Sequence, residues 1–181
     1  MSEPLREAFR ALLDAAATVA DAGATLPVPP EGEWDADRIL AHVSLVTATT
    51  LAAVSAVASG VAATYDNRVA HDVWTLDRVV ELAGGGPGLR ERIRVQGEAL
   101  CALGGGPALS AAELDTPVPT LLLSHDTLMV DGPVPLRDLV AGLAEAELPG
   151  HAKQLLDLLD LPDLPDLPGL PGLPADGTGG V

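Results

Sequence analysis

Basic side chains are scarce in this chain. Ten Lys and Arg stand against 26 Asp and Glu over 181 residues, a formal net charge of -16. That balance argues against a general nucleic-acid binder and against attachment to anionic membranes, because both need a basic footprint. Aromatic residues are fewer still, with two Trp, one Tyr and one Phe. So few rings do not furnish a base-stacking platform or a carbohydrate-stacking groove. The single cysteine, Cys101, excludes an intramolecular disulfide and any multi-cysteine zinc or iron–sulfur site. The N-terminal segment is charged and amphipathic, without the basic, apolar, small-residue layout of a signal peptide, so a cytoplasmic location is expected. No GxGxxG, P-loop or GxSxG pattern occurs, and Gly84-Gly85-Gly86 lacks the strand and helix context that cradles phosphate.

What is present is aliphatic. Apolar residues make up 48% of the chain, mostly Leu, Val and Ala, enough to bury a core and suited to packed helices. The length fits one domain, residues 1–160, followed by a tail, residues 161–181. Leu5, Phe9, Leu12, Leu13, Ala16 and Val19 recur at helical spacing and predict a first helix over Glu3 to Ala22, capped by Gly23. Pro27, Pro29 and Pro30 break the chain. A second helix is predicted from the N-cap Asp35 to near Gly60, with Ile39, His42, Val43, Val46, Ala53 and Val57 on its inner face. Thr64 to Val73 reads as a connection. Helical regions are predicted from Thr75 to Ala83 and from Leu89 to Leu103, separated by Gly84-Gly85-Gly86-Pro87.

Thr120-Leu121-Leu122-Leu123 and Thr127-Leu128-Met129-Val130 flank Ser124-His125-Asp126 and predict a small β-hairpin. Asp131-Gly132-Pro133 is then expected to turn the chain into a last helix, about Leu136 to Leu159, kinked at Pro149-Gly150. Its stripe reads Leu136, Leu139, Val140, Leu143, Glu147, His151, Leu155 and Leu158. From Leu161 the Leu-Pro-Asp and Leu-Pro-Gly repeats predict an extended, disordered tail. Val43 to Thr64 carries no formal charge and is long enough for a membrane span. Its Ala, Ser and Thr content and the lack of basic flanks favour a buried helix, so no membrane partner is expected.

The chemistry centres on Glu147 and His151. At i, i+4 on a helix their Cβ atoms lie about 5–6 Å apart on one face. A carboxylate on an apolar stripe needs a partner, and a divalent metal supplies one. His42, between Ile39 and Val46 on the second helix, is the candidate third ligand. Two His and one Glu leave a coordination position open, as in catalytic sites. The same residues also fit a hydrogen-bonded core histidine and a solvent-facing ion pair, and spacing alone does not choose between them. Among the remaining residues, Asn67, Arg68 and His71 are candidates for a pocket beside the metal. Cys101 reads as a small core residue and His125 as a surface turn residue, while Arg68 and Arg137 fit either contact with a carboxylated thiol or substrate or a solvated cation.

The segment Glu33-Trp34-Asp35-Ala36-Asp37-Arg38-Ile39-Leu40-Ala41-His42-Val43 resembles the second-helix signature of the DinB-like superfamily, in its actinobacterial branch. Tyr65-Asp66-Asn67, Pro117-Val118-Pro119-Thr120 and Glu147 through Leu156 resemble further segments of that family, in the same order, over about residues 3 to 160. The resemblance implies a predominantly all-α four-helix bundle with a metal held by one residue of the second helix and two of the last. Carried over, those are His42, Glu147 and His151, with zinc the favoured metal. ExxxH in place of the commoner HxxxH is similar to the mycothiol-dependent maleylpyruvate isomerases. The implied function is therefore thiol S-transfer or isomerisation: a small-molecule thiol such as mycothiol is deprotonated at the open metal position and attacks an electrophilic substrate. A metal-dependent hydrolase and a non-catalytic, stress-associated bundle module remain alternatives. Monomer and homodimer are both compatible with the pattern.

Overall fold

A computed structural model describes residues 2–23, 29–30, 32–104, 108–124 and 127–160. The expectations for Pro27, His125 and the tail at 161–181 lie outside those residues. The chain is mostly helical with one small sheet.

Helix α1 (Ser2–Ala22) buries Leu5, Phe9, Leu12, Ala16 and Val19, and leaves Glu3, Arg6, Glu7, Arg10 and Asp14 exposed. Helix α2 (Ala36–Ala58) starts where Asp35 accepts a 2.8 Å hydrogen bond from the Arg38 N–H. Having almost no charge beyond its first turn, α2 can be enclosed on several sides, and it packs against α1 and most later helices. It is long and apolar enough to cross a membrane, but most of its apolar window is buried inside the fold.

The stretch after α2 is more structured than a plain connection. It holds the short strand β1 (Tyr65–Asp66) and a 3-10 turn at Arg68–Ala70. Helix α3 (Val73–Ala83) begins two residues before the expected start because Asp72 caps it. Helix α4 (Gly86–Gly104) likewise begins ahead of Leu89. Gly84 and Gly85 both take φ +78°, which makes the break, and Pro87 falls in the first helical turn, where its missing N–H costs nothing. The Asp37 carboxylate of α2 accepts from the Gly86 N–H and so ties α4 to α2. Farther along α4, Gly97 lies against Phe9 of α1; a Cβ there would fall 2.9 Å from the ring. Helix α5 (Ala111–Leu114) is a single turn with a Ser110/Glu113 capping box.

Strands β2 (Pro117–Ser124) and β3 (Thr127–Pro135) form the hairpin, antiparallel, with β1 parallel to the other side of β2. Asp131-Gly132-Pro133 does not turn the chain, contrary to the sequence expectation; β3 runs straight through it to Pro135. The pairing explains how. Pro117 lies opposite Pro135, and Pro119 opposite Pro133. Neither proline of such a pair can donate across the ladder, so both pairs occupy non-hydrogen-bonded positions and their nitrogens point out of the hairpin.

Helix α6 (Leu136–Gly142) follows directly and continues through a π-helical turn, Leu143–Glu147, into α7 (Leu148–Asp157). Pro149 removes one backbone donor and crowds the carbonyl four residues earlier. The helix answers with a widened turn in which the Leu148 N–H reaches the Leu143 carbonyl. The extra residue changes the helical phase. Before it the core receives Leu136, Leu139, Val140 and Leu143; after it the core receives Leu148, Ala152 and Leu155. Glu147 and His151 therefore leave the core stripe on which they were expected and move to its flank.

Candidate metal centre

Three elements converge on one point. His42 comes from the middle of α2 and is 3% exposed. Glu147 ends the π turn and His151 lies one turn into α7, with side chains 28% and 17% exposed. The Glu147 Oε2 lies 3.2 Å from His151 Nε2 and 4.0 Å from His42 Nε2. One ligand atom from each of the three residues lies within 4.8 Å of the others. Two donors on one tetrahedral zinc are about 3.4 Å apart, from metal–ligand distances of about 2.0–2.2 Å. The spacing fits a divalent ion.

The outer hydrogen bonds fit it as well. His42 Nδ1–H donates to the Ala70 carbonyl at 2.8 Å, and His151 Nδ1 lies 2.9 Å from the Gln154 Oε1. With both Nδ1 atoms engaged, both Nε2 atoms face the carboxylate. They can approach it only with something positive between, a proton or a metal ion. Bonds from His151 first, and from His42 second, hold the Glu147 carboxyl well below the usual carboxylate range, against a burial that pushes it up. A carboxylate that stays ionised, with two oriented imidazoles, is a set that could hold a metal ion.

The sheet braces this point from the side. Asn67 is 1% exposed; its Oδ1 accepts from the Leu123 N–H at 2.8 Å and its Nδ2 donates to the Leu123 carbonyl at 2.9 Å. The amide thus extends β1 by one step along β2. The same Nδ2 lies 3.3 Å from His71 Nε2. The His71 ring packs edge-on to His42, centroids 5.1 Å apart, and Trp34 lies 5.0 Å from His42 on another side. Tyr65 is buried nearby, and burial, with the charge of Glu147 second, pushes its hydroxyl up to about 12.

A cavity of about 590 Å³ opens beside the three residues, and His42, Glu147 and His151 all line it. His71 lines it too. Asn67 and Arg68 do not: Asn67 is spent on Leu123 and His71, and Arg68 points away into an ion pair with Asp66 at 2.6 Å. Arg137 is held by Asp115 and the Ala111 carbonyl. Cys101 is buried, and that burial pushes its thiol up. Trp34 and Gln154 line the cavity without having been singled out from sequence. Gln154, three residues after His151 on the same helix, carried a readable signal. Trp34 carried one only by preceding the N-cap of the helix that bears His42.

Comparison with known proteins adds no relative: no family model matches the chain, and no match is found among the curated proteins or the solved structures.

Proposed function

We propose that the chain is a divalent-metal-binding protein of DinB-like type, with zinc as its metal, that activates a small thiol for attack on an electrophilic substrate. The observation that carries this reading is the convergence of two Nδ1-anchored imidazoles on the Glu147 carboxylate beside an open cavity. The four long helical stretches, α1, α2, α4 and the α6–α7 helix, agree with a four-helix bundle of that kind.

When bound, the metal lowers the pKa of a thiol at its open position, so that the nucleophile forms at neutral pH. The chain's own residues do the rest. His42 and His151 present Nε2, Ala70 and Gln154 fix their tautomers, and Trp34 and His71 line the cavity beside them. The size of the cavity supports a catalytic site over a closed structural one, since a structural ion is fully enclosed by protein ligands.

Metal analysis of purified wild type and His151→Ala tests the site. About one zinc per chain is expected in the wild type and little in the variant; equal content in both removes the proposal. Thiol consumption with a panel of electrophiles, with and without chelator, tests the activity separately.

A further inference from the structure

The charges around the cavity bear on what it accepts. Among the described residues that line it there is no Lys and no Arg. The carboxylates are Glu147, at the metal point, and Glu33, on the exposed loop before α2. Trp34, the next residue, lines the same cavity. Arg68 and Arg38, on the elements that carry the cavity, are engaged in ion pairs, Arg68 with Asp66 and Arg38 with Asp77 at 2.7 Å.

This inference rests on the metal-thiol reading above. In the loaded site the two positive charges of the metal are offset by Glu147 and by the sulfur of a bound thiol, whose proton leaves to solvent. The uncompensated charge left at the cavity is then Glu33. Among the described residues that line the cavity, a carboxylate on the ligand would meet another carboxylate and no Lys or Arg. A cationic group would meet both Glu33 and the indole of Trp34, which attract it by charge and through the ring face.

We infer that the cavity takes thiols or co-substrates whose second functional group is cationic, an ammonium seated between Glu33 and Trp34, and rejects carboxylated or sulfonated ones.

The test uses zinc-loaded full-length protein and three thiols on the same two-carbon stem: thiocholine, 2-mercaptoethanol and 2-mercaptoethanesulfonate. The quaternary ammonium of thiocholine cannot chelate the zinc, but it acidifies the thiol, so the cavity's own charge is read from how Glu33→Gln changes the ratio. Calorimetric titration at low salt should rank thiocholine tightest and the sulfonate weakest, about tenfold apart or more, the size expected of one exposed ion pair plus one cation–ring contact. Glu33→Gln, a change at an exposed position, should narrow that ratio severalfold. If all three bind in a zinc-dependent way and the sulfonate equals or beats thiocholine, or if Glu33→Gln leaves the ratio as it was, the charge preference is refuted and the metal-thiol reading stands. If no thiol shows zinc-dependent binding, both fall together.

Discussion

Gln154→Ala removes no metal ligand and should still weaken the metal site. In the native protein Gln154 Oε1 is the acceptor for His151 Nδ1, 2.9 Å away. That bond fixes which nitrogen carries the proton and holds the ring so that Nε2 faces Glu147. A net hydrogen bond of this kind is worth about 0.5–1.5 kcal/mol, and tenfold in affinity corresponds to about 1.4 kcal/mol. Loss of a group that orients a metal-bound histidine typically lowers affinity by about 10–100-fold. His151 is 17% exposed, so water can partly replace the lost acceptor, and the expected weakening lies near the lower figure, about tenfold. Competition against a chromophoric chelator measures it, beside His151→Ala as the full loss of a ligand and Gln154→Glu as a variant that restores an acceptor. Thermal unfolding of the metal-free protein should change little. Zinc affinity within twofold of wild type would show that Gln154 does not orient the ring. A loss as large as that of His151→Ala would show that the change damages more than one bond.

Asn67→Ala deletes both bonds to Leu123 and the contact with His71 at a site 1% exposed. It should cost about 3 kcal/mol, or about 6–12 °C in thermal midpoint, while zinc content stays near wild type; a drop under about 2 °C contradicts the bracing role. The depressed Glu147 carboxyl sets a pH dependence in the metal-free protein. A group whose pKa is lower folded than unfolded stabilises fully above its unfolded value, about 4.3, and loses that contribution as pH falls toward the folded value. The stability gap between wild type and Glu147→Gln should therefore be present at pH 6 and shrink by pH 3, as denaturant titrations at both values will show; a gap that widens in acid reverses the sign of the argument.

The sequence was most readable where one signal had no competitor. The stripe of α1 and the Asp35 cap each had one physical solution, and both appear as expected. The turn expected at Asp131-Gly132-Pro133 failed because proline disfavours a strand only where its nitrogen must donate, and the facing Pro119 shows that here it need not. The candidate ligands were legible as residue types, yet their surroundings were not. A period of 3.6 carried unbroken through Leu143 places Glu147 and His151 among leucines; one inserted residue, forced by Pro149, places them at a cavity. Asn67 was legible as a polar residue beside His71, but its bonds to Leu123 were not, since that strand lies more than fifty residues away and only the tertiary fold brings it close.

The proline pairs of the hairpin also govern how this protein meets copies of itself. The outer side of β3 is a sheet margin, where free donors and acceptors invite another chain to add a strand. The ladder parity that turns Pro133 and Pro135 outward places them where that margin would otherwise offer N–H groups, and the next outward position holds the charged Asp131. At the two prolines an incoming strand finds an acceptor without a donor, and at Asp131, which keeps its N–H, it meets a negative charge. This end of β3 is thereby a poor template for strand addition.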